Sequence, residues 1–557
     1  MLQWFDENPD RYWWTICAAI ALALFALLRP LLRPGWRDVR AADWRWSLVI
    51  LGVLMIGRWP TWFVRELNPD ESQLIAGALT LRHDPVFWRS VNGGTAGPLD
   101  FYALLPAGWI SGADGFLSAR VTALCVIAIA LIFAHQTIAL VYGRQVARVT
   151  GFAALCFEAL TLDFDLLHYS TEIASMGLLA VAFFLAVRRF VADADWRWNL
   201  LGGILLGAVP FAKLQAAPMA ALLGFGWIAG ELWRNRQARS DWTRSVAALC
   251  AGACGPLLMF AVILVFTGEW HHAVISYILG NIRYAAASNA PAKDIFLALL
   301  SGEISLFCWL AGTAVWLLLT LPLPRSPDPR ARRITGIVVL FAFAALGCIL
   351  APRFPYVHYW QLFVVPWTLV IGAATGLIAL GLEGRGTALR CGFLCACLFC
   401  TTGGLLAVRA SELSPFIGAM VYSQTHPQGV VACELTKYAR PGEALGLWGW
   451  MNRYYLESGL RQATRDVQSI EEIVISPNRD YSRQLYLSDL RKAAPPVFVD
   501  AVGPGNFYFN DRRLAHDAVF PELAAYIQEN YTRVAEIGGS RIYVRNDRRP
   551  SAVAPKQ

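Results

Sequence analysis

Two adjacent carboxylates, Asp70 and Glu71, open the stretch LNPDESQLIAGALTLRHDPVFWRSVNGGTAGPLDFYALLP at residues 67–106, just after an apolar segment ending near Phe63. Charged groups beside hydrocarbon are costly, so an acidic pair there is a candidate for function. The plainer alternative is a helix cap, since an acid before SQLIAGAL suits an N-cap. A second acidic turn, DFDLLHYSTE, brings Asp163, Asp165, His168 and Glu172 together. Asp163 or Asp165 with Glu172 could share a divalent cation (Mg, Mn or Zn) with the first stretch, because hard cations take several carboxylate oxygens. Otherwise the turn is a polar hairpin between two spans. Lys213, in GAVPFAKLQAAP, either snorkels to headgroups or presents its ammonium to a phosphate. Arg353 and His358 lie in RFPYVHYWQ beside several aromatics, either as a binding element or as part of an aromatic belt.

These residues must be positioned by membrane-spanning helices. The chain of 557 residues is 56% apolar and only 16% charged, far from the soluble norm of roughly 45–50% apolar and about 25% charged. Its apolar residues fall in blocks of about 17–26, the length that crosses roughly 30 Å of hydrocarbon. The 22 Trp and 18 Tyr fit interfacial belts. A net charge of +8 reflects arginine-rich loops between apolar blocks rather than nucleic-acid binding, as the positive-inside rule predicts for cytoplasmic loops. Of the 12 Cys, only Cys433 lies outside or away from the apolar blocks, so structural disulfides are not expected.

Alternating the blocks gives about twelve spans, with Ile295 to Leu321 as one of them. Pro98 to Ser111, only about 14 residues, reads as an interfacial or re-entrant segment. Residues 65–115 then form one long outer loop, and Asp70, Glu172, Lys213 and His358 share the outer face. The helical module covers residues 1–409. From 410 to 557 charge returns and apolar runs shrink to strand length (ALGLWGW, EEIVIS, PVFVD, RIYVR), with a helix at PELAAYIQENY. This reads as a small extracytoplasmic α/β domain. The fold class is therefore an α-helical polytopic membrane protein with a C-terminal α/β domain.

The acidic pair, GPLDFYALLP, SARVTAL, HYSTE and PFAKLQAAP together resemble the GT-C superfamily of integral membrane glycosyltransferases. The nearest branch uses polyprenyl-phosphate sugars and includes protein O-mannosyltransferases and aminoarabinose transferases. The likeness covers roughly residues 46–220. It implies inverting transfer of a sugar from a polyprenyl-phosphate donor to a lipid, glycan or protein acceptor on the periplasmic face of the inner membrane. It also implies that Asp70 is the base and that Glu71, with Glu172 or a nearby Asp, supports it or holds a metal. Lys213 and Arg353 would hold the lipid phosphate, with Tyr102 and His358 among the substrate-binding residues. Gly97-Pro98 stands where the family has two prolines. A lipid or polysaccharide transporter and an inactive assembly protein are the alternatives.

Overall fold

The computed structural model describes residues 9–32, 38–111, 115–191, 195–234, 239–383, 385–425 and 429–548. The helical part runs α1 (Pro9–Leu28), α2 (Trp46–Arg58), α3 (Pro69–Leu81), α4 (Pro98–Tyr102), α5 (Leu105–Ser111), α6 (Phe116–Tyr142), α7 (Arg144–Leu160) and α8 (Phe164–Leu167). It continues through α9 (Thr171–Val191), α10 (Arg197–Ala212), α11 (Ala217–Arg234), α12 (Arg239–Thr267), α13 (Ala292–Ser301) and α14 (Ile304–Thr320). It closes with α15 (Pro329–Leu350), α16 (Gln361–Gly381) and α17 (Thr387–Thr425).

Among the described residues, seven helices are long and apolar enough to cross a membrane: α1, α6, α9, α12, α15, α16 and α17. The count reaches eight if α13 and α14, bent by 107°, form one broken span. The sequence pattern alone suggested about twelve, because α2, α7, α10 and α14 are apolar, yet they have only 13, 17, 16 and 17 residues, short of the ~20 that cross a bilayer. The run Ile295–Leu321, expected as one span, breaks at Gly302–Glu303. The Glu303 carboxylate caps the α14 N-terminus through the Leu306 N–H and pairs with Arg409, a stop that hydropathy alone does not reveal. Pro98–Ser111 divides into α4 and α5, and α5 exposes Trp109 and Ile110. α17 runs to Thr425, past the composition change near residue 410. All 12 cysteines are free.

The C-terminal unit is a five-stranded sheet, ordered β2-β1-β3-β5-β4. Its strands are β1 (Ala444–Gly449), β2 (Arg461–Gln462), β3 (Val497–Ala501), β4 (Tyr531–Ile537) and β5 (Ser540–Arg545). β1 lies parallel to β2 and β3; β5 is antiparallel to β3 and β4. The β4–β5 hairpin turns at Gly538-Gly539, both with positive φ, as a tight two-residue turn requires. Alternation sends Leu445, Leu447, Val497 and Val499 to one face and Trp448 and Phe498 to the other. EEIVIS, expected as a strand, instead starts a helical turn at Ile470–Ile473. Glu471 and Glu472 in its first turn favour a helix N-terminus, and a short apolar run does not discriminate helix from strand.

α3 joins the two parts. Ala76 packs into the same core as Leu445 and Val499, and Thr80 Oγ1 accepts the Gln462 N–H at 3.1 Å. Further along the seam, Asn92 Nδ2 donates to Asp466 Oδ1 at 2.7 Å. Arg465 binds Asp489 through Nε at 2.8 Å and donates to the Trp88 carbonyl at 3.0 Å. Burial pushes the Asp466 carboxyl up to about 7, against the hydrogen bond from Asn92 and with the help of the Asp489 charge. Glu472, fully buried, is raised well above the usual range by burial and then by the Asp466 charge. A raised carboxyl favours the folded state below its unfolded value, near 3.9 for Asp. That contribution is lost as pH rises through the folded value. The melting temperature of the intact protein should therefore fall between pH 6 and 8, and Asp466→Asn, which keeps the acceptor for Asn92, should flatten that slope in a thermal-shift series.

Candidate active site

The site begins at the start of α3. Asn68 caps the helix by accepting the Asp70 N–H at 2.8 Å, and Pro69 occupies its first turn. Helical geometry then turns Asp70 and Glu71 in different directions. Asp70 is half-buried, and among the described residues no side chain hydrogen-bonds its carboxylate. Glu71 is fully buried and receives Arg120 of α6 in a two-point ion pair, Nε–Oε1 3.0 Å and Nη2–Oε2 2.8 Å. Arg120 also donates to the carbonyls of Thr61, Val64 and Arg65. Glu71 was expected beside Asp70 in the chemistry; the structure corrects this, because both its oxygens are committed to the scaffold.

The second acidic turn folds against this point. Asp163 caps α8 by accepting the Asp165 N–H at 2.7 Å. Asp165 Oδ1 accepts from Asn68 Nδ2 at 2.8 Å, and Oδ2 contacts the Nδ1 and backbone N–H of His358, both at 2.9 Å. Burial works against the Asp165 charge, but His358, with His168 beyond it, outweighs that and holds the carboxyl below its usual range. For Asp163 burial dominates and pushes the carboxyl up to about 6. His168 Nδ1 faces the Phe164 carbonyl at 3.1 Å, which leaves Nε2 buried without a hydrogen-bond partner.

One donor atom each from Asp165, His168 and His358 lies within 4.8 Å of the others. Two imidazoles and a carboxylate suit a borderline divalent ion such as Zn or Mn, and an imidazole anchored at one nitrogen with the other orphaned is oriented as metal-ligating histidines are. The group differs from the expected set. Glu172 is occupied elsewhere, Asp163 is a helix cap, and His358, expected at the substrate, joins instead.

Lys213 sits where α10 ends and the chain turns into α11. Its ammonium donates to Thr171 Oγ1 at 2.6 Å and pairs with Glu172 Oε1 at 3.0 Å, 5.7 Å from the Tyr359 ring centre. Asp100 of α4 lies beside this pair; it is fully buried, with neither carboxylate oxygen hydrogen-bonded. Burial drives it well above the usual range, Lys213 opposing and Glu172 assisting. Gly97 makes the placement possible. Its N–H donates to the Ala212 carbonyl at 2.9 Å, and a Cβ there would lie 2.1 Å from the Phe211 carbonyl oxygen. Glycine thus stands in place of proline because the loop abuts the end of α10.

Asn68, two residues before Asp70, bonds Asp165, which bonds His358, and Lys213 joins Glu172 to Tyr359, the neighbour of His358. Asp70, Asp163, Asp165, His168, Glu172, Lys213 and His358 therefore gather at one end of the bundle. Arg353 is exposed on the loop leading to His358, its backbone left-handed at φ 57°. Tyr102 is not turned toward this centre: its hydroxyl donates to the Pro85 carbonyl at 2.6 Å, closing the loop between α3 and α4. Asp100 was missed; a lone acid in an apolar run was its available signal. Tyr356, stacked on His358 at 5.6 Å, is a further addition.

No protein-family model matches the sequence, and no curated protein is similar to it in sequence. The fold does have counterparts. ArnT from Cupriavidus metallidurans bound to undecaprenyl phosphate is similar at a TM-score of 0.59 and 12% identity, over 90% of this chain and 98% of that one. Its apo state gives 0.56 at 12% identity, over 90% and 97%. The chain therefore shares the fold of ArnT. The likeness to ArnT runs along nearly the whole length of both chains.

Removing one partner of a buried ion pair costs about 3–5 kcal/mol. Arg120→Met and Glu71→Gln should therefore lower membrane abundance and melting temperature together, whereas Asp70→Asn should leave both unchanged; thermal melts of detergent-solubilised protein would check this.

Proposed function

We propose that the protein transfers a sugar from a polyprenyl-phosphate carrier to an acceptor on the periplasmic face of a bacterial inner membrane. The observation that carries this is a half-buried, unpartnered carboxylate, Asp70, gathered with a buried lysine at one end of an ArnT-like bundle. The acceptor hydroxyl or amine attacks the anomeric carbon, the new bond forms as the carbon–phosphate-oxygen bond breaks, and the acceptor proton passes to Asp70. The leaving polyprenyl phosphate carries the displaced electron pair. Lys213 has given two of its three N–H donors to Thr171 and Glu172, and its third meets a phosphate oxygen. Asp100, buried beside it, lines the same end of the site, and exposed Arg353 meets the charge at the rim. Asp165, His168 and His358 would hold a divalent ion, which would supply positive charge near the departing phosphate.

The reading is supported further by what the other charges do: Arg58 is locked to Glu158 at 2.8 Å and Arg120 to Glu71, so neither lines a transport path. The test is reconstitution in vesicles with undecaprenyl-phosphate-linked sugars and envelope extract as acceptor. Asp70→Asn should slow transfer by about 10²-fold or more, and Lys213→Ala should chiefly raise the KM for the donor. Full activity of Asp70→Asn at normal abundance would sink the assignment.

Metal analysis after equilibration with Zn or Mn gives a separate check. The wild-type chain should retain about one ion, as a site with three protein ligands does. His168→Ala should lose it, and retention by that variant would remove the metal from the site.

A further inference from the structure

Parallel strands β1 and β3 end side by side at Gly449 and Ala501, and ligands of open α/β sheets bind beyond such carboxyl ends. Trp450 follows β1, and the loop GPGNFYFN (503–510) follows β3. Trp450 lies 5.1 Å from Phe507 and 5.6 Å from Tyr508, centre to centre. Phe507 and Tyr508 are 45% and 62% exposed, although the loop is well held. Phe507 N–H donates to Met451 Sδ, Gly503 N–H to the Phe509 carbonyl and Asn506 N–H to the Gly503 carbonyl. Tyr508 has a left-handed backbone at φ 62°, a conformation that costs an L-residue energy and clusters at binding sites.

The position of these rings gives them a use. Asn452, two residues beyond Trp450, reaches the carbonyl of Pro69 at 3.5 Å, and Arg453 lies 4.0 Å from Glu66. Pro69 directly precedes Asp70. Tyr356, on the membrane module beside the candidate site, is 45% exposed and stacked on His358. Aromatic faces therefore border the space over Asp70 from both parts of the chain.

We propose that Trp450, Phe507 and Tyr508 form the acceptor platform and that the acceptor presents them with a pyranose ring, so that its nucleophile reaches Asp70. The inference rests on the glycosyl-transfer reading for its role, though not for the binding itself. One face of a pyranose is lined with C–H bonds whose slightly positive hydrogens suit the negative face of an aromatic ring. Its rim of hydroxyls suits the Tyr508 hydroxyl, which a polyprenyl tail would leave unused.

The test is saturation-transfer NMR on the full chain in nanodiscs, with methyl β-glucopyranoside as probe and mannitol as the acyclic control. Wild type should saturate the pyranoside C–H protons and spare mannitol. Trp450→Ala and Tyr508→Ala should lose the signal, and Tyr508→Phe should keep most of it. In the transfer assay Tyr508→Ala should raise the KM for acceptor about tenfold, as loss of one stacking face does, with the donor KM unchanged. Pyranoside binding without any sugar transfer would leave the platform standing and sink the function. Transfer with no pyranoside signal, or a Tyr508→Ala defect in donor KM or in vesicle binding instead, would overturn the platform.

Discussion

The Glu71–Arg120 ion pair is the constraint on which the site depends. A charge pair sealed from water repays its desolvation only when geometry is good and remaining donors are satisfied. Here Arg120 spends its other N–H groups on the carbonyls of residues 61, 64 and 65. The pair thus fixes the end of the segment after α2 and the first turn of α3 against α6. Asp70, one residue away, inherits that rigidity without being part of the bonding, so its carboxylate stays open.

The rest of the site has the same division of labour. Asp163 gives its carboxylate to the backbone so that Asp165 can hold His358, and Thr171 and Glu172 hold the Lys213 ammonium. Each reactive group has a neighbour that orients it. The uncompensated members are the ones that await something: Asp100 with both oxygens unbonded, Glu172 with one, and His168 Nε2. A buried polar atom without a partner costs desolvation energy, and a polar ligand entering this site could satisfy these.

Much of this was legible in the sequence because acids and lysines stand out in a chain that is 56% apolar. The outer-loop residues could be gathered by topology without knowing any contact. What was not legible depended on contacts between distant residues. Glu71 looked identical to Asp70 until Arg120, 49 positions away, claimed it. Tyr102 was one aromatic among many until its hydroxyl met Pro85. The Glu303 cap that breaks α13 from α14 is a hydrogen bond within an otherwise continuous apolar run. His358 could be placed on the same face as Lys213, but its joining of Asp165 and His168 depends on a distance that periodicity does not encode. The five-stranded sheet was visible where apolar runs of strand length stood out, as in β1, β3 and β5. It was missed at β2, which is two residues long, and at β4, which follows the last helix directly.

α3 explains why the two parts of the chain belong together. One side of this helix is pinned by Arg120; another, through Ala76 and Thr80, is built into the C-terminal unit. A helix of 13 residues with both sides committed has little freedom to shift. Asp70 at its start is therefore referenced to the membrane bundle and to the sheet at once. A base must lie within hydrogen-bond reach of the proton it takes, and misplacement by about 1 Å is expensive in rate. On the proposed reading, a donor among the helices and an acceptor at the C-terminal unit could be brought to one carboxylate only if that carboxylate is fixed to both. α3 is the element that does so, and the buried Glu71 is the means by which it is held.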